Sequence, residues 1–419
     1  MSERSVTSII RTLDRLSRRW LDRRYFFRKK AVLALVRDSG FTEMMAQALL
    51  DDTFRELTAS KLTALLKSEL GDPRVLDEFR PDKGQARQVR VHGPESILHV
   101  FSANIPNAAV WSFGMGMLLK SRNVGKLSSR DRGFLGLYLT SLKTVDPKLS
   151  RTNVLLDPSD RRVFESALKK ASLVVAYGSD EGLRQIQTRV PVGTPFFGYG
   201  HRVSLGLFGK KAMSDRGAAD LAKKAARDVW SVDQRGCLSP LTFYVQKGGI
   251  ITPRQWAALL AAELGRLQTK DKKSPRRAQE VSLMSQSRAK DRYLLGKVRG
   301  KNVGWWESRP AGLWAVRYEE ELSFLLTGGA QTIAVKGFDR VENVFQALNP
   351  AGKYLQAVSL EPFSASDSQI AEPLSRLGVS RICRSGKMQS PPLLWHHDGK
   401  PNLSSWVRWT DWECDKISR

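Results

Sequence analysis

From Ile97 onward, short apolar runs alternate with stretches of helical periodicity: residues 97–101, a helix near 107–121, residues 124–127, a helix near 131–142, then residues 173–177. Alternation at this spacing reads as βαβ repetition. A strand covered on both faces needs a near-continuous apolar run, and its parallel neighbour is reached through a helical crossover. The pattern predicts an α/β fold with helices on both faces of a parallel sheet and a ligand at the carboxyl ends of the strands. The Gly- and Pro-containing residues 192–209 read as further strand and turn, followed by a helix near 217–230. A strand at 241–246, a helix near 253–267, strands at 313–318 and 332–337, a helix at 340–347 and a strand at 355–360 outline a second α/β unit. At 419 residues the chain exceeds the roughly 150 residues of a typical domain, so two or three units are expected.

Before this alternation, Ile9, Leu13, Leu16 and Trp20 recur at helical spacing with arginines filling the gaps, which describes an amphipathic helix with a basic outer face. Helices are expected to continue through Leu70. The formal charge of +26 calls for an anionic partner without choosing one. It is regional, because residues 1–38 hold 11 basic and 4 acidic side chains and residues 270–301 hold 11 and 3. The second segment reads as an exposed insertion or a charged helix. The longest apolar run, near residues 110–119, is interrupted by Ser112 and two glycines and is too short to span a bilayer. With no secretory leader pattern at the start, the cytoplasm is the expected compartment, with peripheral membrane contact left open.

No complete GxGxxG, P-loop, HExxH, paired-cysteine zinc spacing or calcium loop is present, so the five histidines are expected to be structural and no metal site is expected. Three cysteines are too few for a disulfide framework. Cys383 and Cys414 read as packing or incidental residues. Cys237 stands apart: Gly236 permits close backbone approach, and Leu238-Ser239-Pro240 suits a rigid turn that presents a thiol to a substrate carbonyl.

Four motifs in order carry a family resemblance: Ala103-Asn104-Ile105-Pro106-Asn107; Val124-Gly125-Lys126-Leu127-Ser128-Ser129-Arg130-Asp131; Tyr177-Gly178-Ser179-Asp180; and Asp233-Gln234-Arg235-Gly236-Cys237-Leu238-Ser239-Pro240. The chain resembles the LuxC-like acyl-CoA reductases, the fatty acid reductase branch of the aldehyde dehydrogenase superfamily, from about Pro94 to the Trp406-Val407-Arg408-Trp409 stretch. The resemblance implies an aldehyde dehydrogenase-like fold and NADPH-dependent reduction of a fatty acyl thioester to an aldehyde. It divides the chain into a helical N-terminal segment (1–75), a Rossmann-like NADPH-binding domain (90–210), a catalytic domain with the nucleophilic cysteine (211–355) and a C-terminal return or oligomerisation tail (356–419). A homo-oligomer is expected, and the tryptophan-rich residues 395–412 return to the body or to a neighbouring subunit.

Residue by residue, the resemblance makes Cys237 the nucleophile and Asn104 the amide that, with the Cys237 backbone N–H, holds the tetrahedral oxyanion. Lys126 matches the lysine that contacts the adenosine ribose. Where many NAD-using relatives place a glutamate against the ribose hydroxyls, this chain has Ser129 followed by Arg130, beside Ser128. Hydroxyl plus guanidinium accommodate a 2′-phosphate that a carboxylate would repel, hence NADPH. Gly178 and Ser179 match the turn that passes the pyrophosphate. Residues 198–203 contain no acid to activate water, which suits a reductase, and His201 in that stretch is a candidate acid/base. The expected acyl donor is a fatty acyl-CoA, an acyl carrier protein or an acyl-transferring enzyme, steered by the basic segments. Two other classes stay open: a basic nucleic-acid-binding protein, since the charge and 11 tryptophans offer phosphate contacts and stacking surfaces, and a thiol acyltransferase or hydrolase without reductase activity.

Overall fold

In the computed structural model, which describes residues 4–82, 84–102, 107–128, 133–272, 278–296, 302–309, 312–324, 331–364 and 366–413, the apolar stripe near the start forms α1 (Val6–Leu21). Ser5 caps it by accepting the Ser8 N–H, and Ile9, Leu13, Leu16 and Trp20 are all fully buried. The Trp20 ring stacks on Phe54 at 4.8 Å, and its Nε1 donates to Ser141 Oγ at 2.9 Å. Helices α2 (Phe26–Ser39), α3 (Glu43–Arg55) and α4 (Ala59–Leu70) follow. Arg28 of α2 is fully buried yet paired, donating to the Trp20 carbonyl at 2.7 Å and to Asp51 at 2.6 Å. A guanidinium is tolerated there because its donors are met.

The chain divides into two units by its internal contacts: Met1–Ser39, Ala46–His201 and Pro392–Arg419 form the first, and Gly40–Met45 with Arg202–Pro391 the second. After β1 (Arg80–Pro81) and β2 (Arg87–His92), the first unit runs β3 (Ser96–Val100), α5 (Asn107–Leu118), β4 (Arg122–Lys126), α6 (Phe134–Val145), α7 (Pro147–Ser150), β5 (Asn153–Leu156), α8 (Arg161–Lys170), β6 (Leu173–Tyr177), α9 (Asp180–Gln187) and β7 (Phe196–Tyr199). The five strands β3 to β7 pair in parallel in the order β5-β4-β3-β6-β7. The chain moves outward from β3 to β5 and returns to place β6 on the other flank of β3. This reversal makes the carboxyl ends of β3 and β6 the topological switch point, where sheets of this kind take their ligands. Beneath it a buried polar chain joins the strands: His99 ring nitrogens lie 2.8 Å from Ser112 Oγ and 2.9 Å from Asn123 Oδ1, and Asn123 Nδ2 donates to Asn153 Oδ1. Burial pushes His99 down to about 4, so it is a neutral structural histidine.

The second unit runs β8 (Val203–Phe208), α10 (Asp215–Trp230), β9 (Pro240–Gln246), α11 (Pro253–Lys270), α12 (Ala278–Gly296), β10 (Gly304–Glu307), β11 (Ala315–Glu319), β12 (Thr332–Phe338), α13 (Val341–Leu348), β13 (Leu355–Glu361), α14 (Asp367–Arg376) and β14 (Arg381–Cys383). Its sheet order is β10-β11-β12-β9-β8-β13-β14, parallel throughout except for β10. Helix α11 begins where Thr252 and Gln255 make a capping box with Pro253 in the first turn, and its Trp256 packs edge-on against Phe208 and Phe243. The basic stretch from Lys270 contributes α12, with Arg288 of that helix buried.

The tryptophan-rich end returns to the first unit. Its strand β15 (Arg408–Glu413) pairs antiparallel with β2, giving the sheet β1-β2-β15. Glu69 of α4 accepts the N–H groups of Asn402, Leu403 and Ser404 at 2.8, 2.7 and 2.8 Å, and Glu56 accepts that of Leu393 at 2.7 Å. Two carboxylates from the helical segment thereby fix the path of the returning chain.

Candidate active site

Helix α10 leads directly into the cysteine turn of the second unit. Asp228 near its end is buried and accepts the backbone N–H groups of Gly386 and Met388 at 2.6 and 3.1 Å. Burial raises its carboxyl to about 7 against these two hydrogen bonds. Past the helix, Asp233 and Gln234 both adopt the left-handed conformation, each with φ of 56°. For residues with a Cβ this costs on the order of 1 kcal/mol each and persists only where neighbours enforce it. Here they do. Gln331 Nε2 donates to the Asp233 carbonyl at 3.0 Å and to its carboxylate, Gln234 Nε2 donates to the Pro240 carbonyl at 3.0 Å, and Arg235 pairs with the Asp233 carboxylate at 3.3 Å. The Ser239 N–H closes a turn onto the Gly236 carbonyl at 3.0 Å. Gln389 Nε2 bridges Ser239 Oγ at 3.1 Å and the Asp228 carbonyl at 3.0 Å.

Cys237 lies on this turn, half-buried and not in a disulfide. Cys383 is half-buried at the sheet edge, and burial pushes its thiol up to about 11, which keeps it protonated near neutral pH and a poor nucleophile. Cys414 lies outside the described residues. Strand β8, beside the turn, contains no acidic side chain, and a Cβ at Gly206 would fall 2.3 Å from Phe243. Elsewhere in the second unit, Glu319 is buried against Lys336 at 2.7 Å and Arg317 at 3.3 Å, while Glu320 accepts the Tyr318 hydroxyl at 3.1 Å. Burial lowers the Lys336 ammonium, with Glu319 opposing the shift.

In the first unit three of the residues that the resemblance assigns to cofactor binding lie at the carboxyl ends of β4 and β6. Lys126 ends β4, half-buried, with its amino group 5.3 Å from the centre of the Phe164 ring. Gly178 follows β6, and a Cβ built there would meet nothing within 4 Å among the described residues. Ser179 caps α9, its Oγ accepting the Gly182 N–H at 3.2 Å. An uncovered glycine and a helix start at a switch point fit a phosphate-bearing nucleotide. Ser128 is half-buried two residues beyond β4. Ser129, Arg130 and Asn104 lie outside the described residues. His201 is exposed, and its backbone N–H donates to Asp180 Oδ1 at 3.0 Å. Near the same strand ends, the His397 ring stacks on Tyr199 at 4.4 Å, a contact the sequence reading did not anticipate.

A five-stranded nucleotide-type sheet with an open switch-point turn, together with an α/β unit whose constrained turn presents a thiol, defines an oxidoreductase of the aldehyde dehydrogenase-like fold. The chain matches the family model described as acyl-CoA reductase (LuxC) over residues 1–409 and belongs to that family. It is 24% identical over 423 residues to the long-chain acyl-protein thioester reductase of Vibrio harveyi, covering 99% of this chain and 84% of the relative. Among solved structures, the putative aldehyde dehydrogenase PutA from Anabaena variabilis aligns with a TM-score of 0.70 at 15% identity, over 99% of this chain and 90% of that one. A proline utilization A structure with proline bound in remote sites gives 0.72 at 13% identity, over 98% of this chain and 43% of that longer one. The chain is therefore an acyl thioester reductase with a nicotinamide cofactor. Among the described residues, no helix is long and apolar enough to cross a membrane.

Proposed function

We propose that the chain reduces a long-chain fatty acyl group, delivered as a thioester on CoA or on an acyl-bearing protein, to the fatty aldehyde with NADPH, using Cys237 as the nucleophile. The observation that carries this reading is the cysteine turn, held in a strained left-handed path by Gln331 and Gln234 and presenting a half-buried thiol. The name of the Vibrio harveyi relative supports the chain-length class and a protein-borne donor.

In the first half of the cycle the Cys237 thiolate attacks the acyl carbon, and the bond to the carrier sulfur breaks. The carrier thiolate leaves and takes up a proton, for which His201 is the proposed donor. The Asn104 side-chain amide and the Cys237 N–H stabilise the oxyanion as it forms. When bound, NADPH would supply the hydride that takes the acyl-cysteine to the thiohemiacetal oxyanion. Collapse of that adduct breaks the carbon–sulfur bond, releases the aldehyde and returns the Cys237 thiolate. Lys126, Gly178 and Ser179 hold the nucleotide, with Ser128, Ser129 and Arg130 at its 2′-phosphate. Residues 198–203, which contain no acid to activate water, suit an acyl-cysteine that meets hydride rather than hydrolysis.

The test is NADPH consumption with a long-chain acyl-CoA, wild type beside Cys237→Ala, with the aldehyde trapped and identified. Aldehyde and NADP⁺ in equal amounts from wild type and neither from the variant are expected. An active Cys237→Ala variant would remove the cysteine from the reaction. A wild type that consumes no NADPH with either CoA or acyl-carrier donors would overturn the reading.

A further inference from the structure

Ser204, the second residue of β8, is fully buried where the pairing of β8 is irregular on both sides. Across from it on β9 stands Pro240, which has no N–H to offer, and the β8–β9 register shifts between Ser204 and Leu205. On the other flank the β13–β8 register shifts between Leu355 and Val358. The Ser204 hydroxyl fills both gaps. Its Oγ accepts the Ala357 N–H at 3.1 Å and donates to the carbonyl oxygen of Cys237 at 2.7 Å. A hydroxyl has one proton, and with Ala357 as the donor on one side that proton is committed to Cys237. Irregular pairing beside a reactive group is a common means of re-aiming a side chain.

We propose that Ser204 is a positioning residue for the nucleophile. By holding the Cys237 carbonyl against β8 and, through Ala357, against β13, it sets the backbone orientation from which the Cys237 Cβ and Sγ project. It bonds the carbonyl rather than the thiol, so it aims the sulfur without setting its ionisation. The clamps described above act on residues before and after Cys237, whereas Ser204 acts on Cys237 itself. The inference rests on the reading of Cys237 as the nucleophile.

Wild type, Ser204→Ala, Ser204→Thr and Cys237→Ala are compared as full chains in two reactions. One is alkylation of Cys237 by iodoacetamide across pH, which needs only an accessible thiolate. The other is acyl transfer from a long-chain acyl-CoA without cofactor, followed by intact mass, which needs aimed attack on a bound carbonyl. Ser204→Ala is expected to slow acyl transfer by about 10- to 100-fold, with the alkylation profile and the half-saturating acyl-CoA concentration within about twofold of wild type. Ser204→Thr, which keeps the hydroxyl, is expected to recover most of the rate. Acyl transfer within about twofold of wild type in Ser204→Ala, or a parallel fall in acyl transfer and alkylation, would overturn the proposal. Should Ser204→Ala not fold, Ser204→Cys, of similar volume and weaker as a donor, takes its place with the same outcomes. Acyl transfer to Cys237→Ala would defeat the nucleophile reading itself, whereas an inert Cys237→Ala beside a wild-type-like Ser204→Ala defeats only the role of Ser204.

Discussion

At Gly178 an added Cβ would meet nothing within 4 Å among the described residues, whereas the turn around Cys237 is tied down by Ser204, Gln234, Gln331 and Gln389. Both turns adjoin a parallel strand, one after β6 and one before β9, yet they are constructed for different tasks. A nucleotide is bound through many weak contacts, so its turn needs clear backbone and space. A covalent nucleophile must meet one carbon along one direction, so its turn is over-determined, including two left-handed residues that would relax without their neighbours. On the proposed reading, openness in one unit serves nucleotide binding and constraint in the other serves covalent chemistry.

The sharpest break in this comparison is at the sulfur. Cys237→Ala is expected to lower reductase turnover by roughly a thousandfold or more while leaving NADPH affinity unchanged, and Cys383→Ala, whose thiol is held protonated, to change turnover by less than about twofold. Steady-state rates with nucleotide titration check both. Next in size, Gly178→Val narrows the proposed pyrophosphate turn and is expected to raise the NADPH KM by about tenfold with Tm unchanged, because among the described residues no atom lies within 4 Å of the added Cβ. A fall in Tm instead would show that the turn is packed rather than open.

Gln331→Ala tests the opposite design. Removing its bonds to Asp233 takes away one of the supports of the left-handed pair, with an expected loss of about 1–3 kcal/mol in unfolding free energy and slower turnover at unchanged NADPH KM. Denaturant unfolding and kinetics report the two effects. The smallest expected effect concerns Asp228, whose folded carboxyl is raised to about 7 from an ordinary 3.8. The folded state holds that proton more tightly than the unfolded chain, so the group favours folding below about pH 4, and the contribution is lost as pH rises through about 7. Asp228→Asn cannot titrate, so its Tm is expected to fall less between pH 4 and 7 than that of wild type. Equal slopes would contradict the burial assigned to this carboxyl.

The parts of the fold that were legible from sequence are those with local signatures. The stripe through Ile9, Leu13, Leu16 and Trp20, the apolar run of β6 and the helical stretch near 253–267 each announce an element within a few turns of chain. The pairing of β2 with β15 was not legible, because both are short and polar and lie more than three hundred residues apart. Of the proposed site residues, Cys237 is singled out in the sequence by its glycine and proline neighbours, and Lys126, Gly178 and Ser179 by motif order. Ser204, Gln331 and Gln389 were invisible for a common reason: each acts on the cysteine turn from a distant part of the chain, and an isolated serine or glutamine carries no local sign of its partner.

The central claim, that Cys237 carries the acyl group, is tested most directly by incubating the protein with a long-chain acyl-CoA in the absence of NADPH, recording the intact mass and mapping the modified residue. One acyl group on Cys237, absent from Cys237→Ala and discharged as an equal amount of aldehyde when NADPH is added, is the expected result. An unmodified protein that nonetheless makes aldehyde once NADPH is present, or an acyl group mapped to another residue, would contradict the account.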